Sequence, residues 1–216
     1  MEKNTKRPDK RRELGAKSRD DILNAALSIM SQFGYEGASV SKIASESGLP
    51  SSSIYWHFGS KSGVLAAVVE RGAGAFFGDY AGSLDLEAAV VDPLSTLRQG
   101  FSFAQRSAED HPEFLRLLFL LSLSGEHDPR VVEVLERAIA EGRAQLHALI
   151  KHAFSSTGVQ MSTRIADELA DFAQAIFDGA FLDAQTRPQV SHASLIDKMA
   201  ESIYSLGLAI QRRDAQ

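Results

Sequence analysis

No cysteine occurs among the 216 residues. Disulfides and thiolate metal sites are therefore excluded, and a reducing cytoplasm is the compartment the chain suits. No run approaches the roughly 20 apolar residues that a membrane span requires. The N-terminus is polar and basic, without the apolar stretch of a secretory signal. Proline is scarce, with 6 in all, and Pro93, Pro112 and Pro129 fall where helices would begin. No segment alternates apolar and polar residues over the length of a strand, and no internal repeat is found. Catalytic signatures are missing too. There is no HExxH, nucleophile elbow or Gly-rich phosphate loop, and the histidines are scattered. His147 and His152 stand five apart, so they do not share a helix face as a metal pair would. These absences predict an all-α protein that is not an enzyme, with no catalytic residue, metal, cofactor or membrane contact.

What remains is helical grammar. Ile22, Ala25, Ala26, Ile29, Met30 and Phe33 recur at helical spacing and end at Gly34. Short helices follow over 39–47 and 50–58. Ser60 opens a longer one to about Tyr80, weakened by Gly72, Gly74 and Gly78. The second half repeats a polar cap followed by proline: Asp92-Pro93, Pro112 alone, then Asp128-Pro129. The last of these starts a long helix that stops near Gly158. Helices over 163–186 and 192–211 complete about nine.

The net charge of −5 is unevenly placed. The first 71 residues carry 11 Lys and Arg against 8 Asp and Glu, and the remainder 12 against 20. A basic head on an acidic body predicts a polyanion contact at one end only. Residues 1–17 are charged and aperiodic, which predicts a disordered basic arm that follows a DNA backbone or enters a minor groove.

The informative stretch runs from Ser39 to Lys61. Gly48 comes four residues after Ala44, and Ile54 ten after it. That is helix-turn-helix spacing, although an ordinary helical hairpin has the same spacing. The small Ala44 lets two helices cross closely, and Gly48 permits a left-handed turn. Val40, Ile43, Leu49, Ile54 and Phe58 would form the small shared core.

The wording goes further than the spacing. Ile22-Leu23-Asn24-Ala25-Ala26, Phe33-Gly34-Tyr35, Ile43-Ala44, Gly48 and Ile54-Tyr55-Trp56-His57-Phe58-Gly59-Ser60-Lys61 resemble the N-terminal domain of the TetR family of regulators. The resemblance covers residues 18–70 by motif and the rest only by helix count. It implies a disordered arm over 1–17, a helix-turn-helix domain over 18–62 and a ligand-binding and dimerisation domain over 63–216. It also implies that the helix at 50–58 enters the major groove, with Tyr55, His57 and Lys61 on phosphates and Ser53 reaching the backbone. Ser39 would cap the second helix and present its N-terminus to the opposite strand. Many relatives carry Lys or Gln where Ser51 stands, and some carry Arg at Ser41. No residue of this reading head makes the strong bidentate base contacts. Ser51, Ser52 and Tyr55 would touch base edges or thymine methyls, with Lys42 nearby, and DNA shape would supply the remainder. Trp56 and Phe58 read as anchors of the recognition helix in the core.

In the second domain the resemblance implies a ligand cavity among helices four to eight. Phe101, Leu118, Phe172 and Phe177 are its candidate wall, with Gln105, Arg116, Gln174 and Asp178 as polar residues able to orient a ligand. The apolar run from Phe114 to Leu123 favours a small apolar or amphipathic molecule. The last two helices each carry an apolar stripe, and the resemblance implies that they pair across a two-fold axis as a homodimer on double-stranded DNA. The expected function is a cytoplasmic repressor of a palindromic operator, released by that molecule. The alternative is a DNA-binding architectural or partner-controlled protein on the same fold, without a small-molecule inducer.

Overall fold

A computed structural model describes residues 7–83, 92–125, 128–189 and 193–214. Among them are nine α-helices: α1 (Arg7–Gly37), α2 (Val40–Ser47), α3 (Ser51–Phe58), α4 (Lys61–Ser83), α5 (Pro93–Asp110), α6 (Pro112–Ser124), α7 (Pro129–Ala153), α8 (Val159–Thr186) and α9 (Ala193–Asp214). A single 3-10 turn, Ser155–Thr157, joins α7 to α8. No strand occurs among the described residues. None of these helices is long and apolar enough to cross a membrane. No group of three His, Cys, Asp or Glu side chains among them could hold a metal ion.

The helix signals lie where the sequence puts them. Asp92 accepts from the backbone N–H groups of Leu94 and Ser95 and caps α5, with Pro93 as its first residue. Asp128 accepts from Arg130 at the start of α7. Gly34, within α1, has φ +70 and bends the chain there. The glycines of α4 do not interrupt it, and one of them is required. A Cβ on Gly72 would lie 2.2 Å from the ring of Phe114.

Two expectations differ from the structure. Residues 7–17, expected to be disordered, form the first three turns of α1. Arg, Lys, Glu and Leu are good helix formers, and Pro8 sits in the first turn, where its missing N–H costs nothing. Residues 1–6 of that arm lie outside the described residues, as does His192 at the start of the last helix. Further on, α8 begins at Val159, four residues before Thr163, because the chain enters the helix directly from Gly158 at φ +90.

The chain forms two compact units, residues 1–74 with 112–138 and residues 75–111 with 139–216. They are discontinuous in sequence, whereas the division expected at residue 62 is contiguous. In the first unit α1 packs on α2, α3 and α6. Leu23, Ala26, Met30, Ile43, Ile54, Val64, Leu65 and Leu117 are wholly buried there, which makes this a small but complete core.

In the second unit α9 packs on α5 and α8. Arg98 of α5 reaches Asp197 at 3.6 Å and Glu201 at 2.8 Å on α9. These exposed pairs set orientation more than stability. The close approaches come from glycine: Leu149 fills the space over Gly100, and Phe154 the space over Gly207. Phe154 is buried and stacks on Tyr204 with ring centroids 6.2 Å apart, so it has no room to swing away.

Gly207→Ala therefore tests the packing against helix propensity. Propensity alone predicts stabilisation by about 1 kcal/mol. The added Cβ would stand 2.3 Å from Phe154, and overpacking of this kind costs about 1–3 kcal/mol. A lowered urea midpoint is expected, and an unchanged or raised one would contradict this packing.

Candidate nucleic-acid interface

α2 and α3 are short, and their ends define the site. Ser39 caps α2, accepting from the backbone N–H of Lys42 at 3.2 Å. Its hydroxyl also lies 2.9 Å from that of Ser41. Gly48 ends α2 at φ +69, and the N–H of Leu49 donates to Ala44 O, closing the turn into α3. Pro50 precedes α3, whose first turn has no side-chain cap. α3 ends at Gly59, with φ +75. Ser60 then accepts from Gly63 N–H at 3.0 Å and caps α4.

α3 has one inward residue of consequence, Ile54, which is wholly buried. Phe58, one turn later, is half-buried with the Arg19 guanidinium 5.4 Å from its ring centroid. The opposite face carries Ser52, Tyr55 and Trp56. Tyr55 is 54% exposed and Trp56 78%. Phe58 thus anchors the helix as the sequence predicts, and Trp56 does not. The signal was available: Ile54 and Phe58 stand four apart and define the inner face, so Trp56, two from each, must lie opposite. The Trp56 ring meets His57 edge-on, with centroids 4.5 Å apart. An exposed indole beside Ser52 and Tyr55 offers a flat apolar face and one N–H donor.

The basic residues are engaged more locally than the sequence suggests. Lys42 Nζ donates to Gly37 O at 2.8 Å and sits 5.5 Å from the Phe33 ring centroid, turned back toward α1. Lys61 Nζ donates to Tyr35 O at 3.1 Å and to Ala38 O at 3.3 Å, over the Tyr35 ring at 3.9 Å. An ammonium has three N–H donors, so one is left for a phosphate. Lys61 therefore ties the α1–α2 corner to the start of α4 as well as carrying charge. Ser41, Ser52 and Tyr55 are exposed, whereas Ser39, Ser51, Ser53, His57 and Lys61 are half-buried along the same surface.

The candidate ligand residues are placed less coherently. Phe101 on α5 is wholly buried and Phe177 on α8 nearly so. Gln105 donates to Glu109 at 2.9 Å on its own helix. Leu118 lies on α6 in the first unit, while the other four belong to the second. Phe172 is 43% exposed, and it shares the outward line of α8 with Ala175, Gly179 and Leu182, apart from Phe177. A surface cleft of about 430 Å³ opens elsewhere in the second unit, lined by residues 157–161 with Arg164 and Asp214. None of the predicted residues lines it. Of the polar candidates, Gln174 and Asp178 meet: Gln174 Nε2 donates to Asp178 Oδ1 at 2.7 Å.

This geometry is that of a helix-turn-helix DNA-binding domain ahead of further helices. Residues 22–68 match the sequence profile of bacterial regulatory proteins, tetR family. The HTH-type transcriptional repressor NicS of Pseudomonas putida is 27% identical over 192 residues, covering 77% of this chain and 89% of that protein. The HTH-type transcriptional regulator AcrR of Shigella flexneri is 33% identical over 93 residues, 42% of this chain and 41% of the other. A solved transcriptional regulator from Pseudomonas aeruginosa PAO1 shares the fold at TM-score 0.73 and 21% identity, over 90% of this chain and 92% of that one. Residues 22–68 thus form a domain of the tetR-family kind, and the chain as a whole is similar to helix-turn-helix transcriptional regulators.

Lys61→Ala should do two things at once. Losing its hydrogen bonds should lower unfolding free energy by about 1–2 kcal/mol, the low end for charged donors because the site is half exposed. Losing its charge should reduce the log–log salt slope of DNA binding by about one unit per subunit. An unchanged urea midpoint would contradict the structural role, and a loss confined to one DNA sequence would contradict the phosphate role.

Proposed function

We propose that this regulator is a repressor that binds a palindromic operator as a homodimer and is released by a small apolar or amphipathic molecule. The observation that carries the DNA reading is the outward face of α3, where Ser52, Tyr55 and Trp56 are exposed on a helix too short to bury both sides. Tyr55, His57 and the remaining Lys61 donor would contact phosphates. Ser51, Ser52 and Trp56 would meet base edges and thymine methyls, and Ser53 the backbone. Ser39 and Ser41 at the start of α2 would approach the other strand, where the helix N-terminus favours a phosphate. The basic start of α1 would add non-specific charge.

Two copies follow from the length of the site, since recognition helices on successive major grooves stand roughly 34 Å apart. The outward lines of α8 and α9 suit the pairing. Phe172, Leu182 and Leu206 are each at least 40% exposed, with the small Ala175, Gly179 and Ala209 beside them. Large apolar residues exposed in line mark association surfaces, and small ones let helices approach closely. Ligand release would act by population shift, the ligand favouring a state with misspaced recognition helices.

Selection of bound duplexes from a random pool should enrich a palindrome with half-sites about one helical turn apart. Enrichment of a single half-site, or none, would contradict the dimeric repressor. Leu206→Glu combined with Leu182→Glu should give a folded monomer by sedimentation, with affinity for the selected palindrome reduced about 100-fold or more. A dimer that survives both charges would place the interface elsewhere.

A further inference from the structure

Gln174 and Asp178 stand one turn apart on α8, and their hydrogen bonding is incomplete. The Gln174 amide N–H₂ donates to Asp178 at 2.7 Å, while the amide oxygen of Gln174 is buried without a hydrogen-bond partner. No Lys, Arg or His among the described residues pairs with Asp178. Burial pushes its carboxyl above the usual carboxylate range, offset only in part by the Gln174 hydrogen bond. One aromatic ring, that of Phe77, comes near. A Cβ on Gly142 of α7 would stand 3.3 Å from the Gln174 amide oxygen and 3.6 Å from Phe77 Cζ. Ring and oxygen therefore converge over a stretch of α7 with no side chain of its own. Glycine is disfavoured in mid-helix, and at Gly142 it leaves the position between oxygen and ring without a side chain.

Such a site has a definite chemical demand. The carboxylate and the amide oxygen are both acceptors, and one of the amide's two N–H donors is already committed. Turning the amide over would set its oxygen against the carboxylate. The array therefore asks for donors and, in a partly desolvated setting, for a positive charge. A protonated amine supplies both, and the face of Phe77 would add cation–π attraction. A carboxylate ligand would meet like charge, and an alcohol would bring one donor and no charge.

We propose that Gln174, Asp178, Phe77 and Gly142 form the polar end of the effector site, and that the effector carries a protonated primary or secondary amine on an apolar body. This rests on the reading of the protein as ligand-responsive and narrows the class of that ligand. Phe172, on the outer face of α8, has no part in it.

The test uses the full chain and three probes of equal length: n-octylamine, 1-octanol and octanoate. Binding is followed by calorimetry, and release of the selected duplex by fluorescence anisotropy. Octylammonium should bind at least about tenfold tighter than octanol, with octanoate weakest. Asp178→Asn should remove that preference, bringing octylammonium affinity down to about that of octanol. It should also leave the ligand-free Tm unchanged or raised, because Asn still accepts from Gln174 while a poorly solvated charge is gone. A purely structural Asp178 would instead lower the Tm. Gln174→Met, which keeps length and loses the orphaned oxygen, should weaken octylammonium alone.

Octanol or octanoate binding as tightly as the amine would overturn the proposal and leave a ligand-responsive regulator of another specificity. An octylammonium affinity untouched by both substitutions would do the same. No binding by any probe, with the duplex still held, would overturn the proposal and count against ligand response itself.

Discussion

Eight residues of helix do not hold themselves together in water, so the proposed DNA reading depends on whatever fixes α3. Three contributions do so. Ile54 is wholly buried, between α1 and α2 as its packing neighbours. The left-handed Gly48 and Gly59 set where the helix starts and stops. Lys61, one residue into α4, ties that helix to the carbonyls at the end of α1. Because the inner side is taken by Ile54 and Phe58, the outer side is free to present Ser52, Tyr55 and Trp56. The proposed reading head is placed by burial on one face and by backbone turns at both ends.

Much of this was legible in the sequence, because helix punctuation is local chemistry. Ser39, Asp92 and Asp128 cap helices as read, and Gly34, Gly48 and Gly158 sit at positive φ where stops are expected. The wording from Ile54 to Lys61 identified the domain. What escaped were facts that depend on which neighbour an apolar or charged residue meets. Trp56 was read as core because it is large and aromatic, although its position relative to Ile54 turns it outward. Phe172 was assigned to a pocket wall and lies on the surface line of α8. Residues 7–17 lack an apolar period, yet form helix because Arg, Lys, Glu and Leu favour one and Pro8 stands in the first turn. Lys61 was read as a phosphate contact and Lys42 as lying near the bases, and both also donate to backbone carbonyls, which no pattern of residue types discloses.

The second unit shows the same limit from the other side. Its core is read easily from apolar periodicity, while its buried polar side chains, among the described residues, are few. Among many aromatic candidates, the informative feature is one Gln–Asp pair whose amide oxygen meets the Phe77 ring over Gly142. Each of these residues is unremarkable alone. Their meaning lies in an acceptor left without a donor and a carboxyl without a counter-charge, which only coordinates reveal. Packing explains the rest of the unit: Gly100 and Gly207 let Leu149 and Phe154 close the spaces between helices.

The chain contains a single tryptophan, and it is Trp56 on the outer face of α3. Its fluorescence therefore reports the reading head with no background from elsewhere. Titration with the selected duplex should quench or blue-shift the emission, saturate at one duplex per dimer, and reverse as salt is raised. Duplex binding registered by anisotropy with the Trp56 emission unchanged would contradict the account, because the exposed face of α3 would then lie away from the DNA.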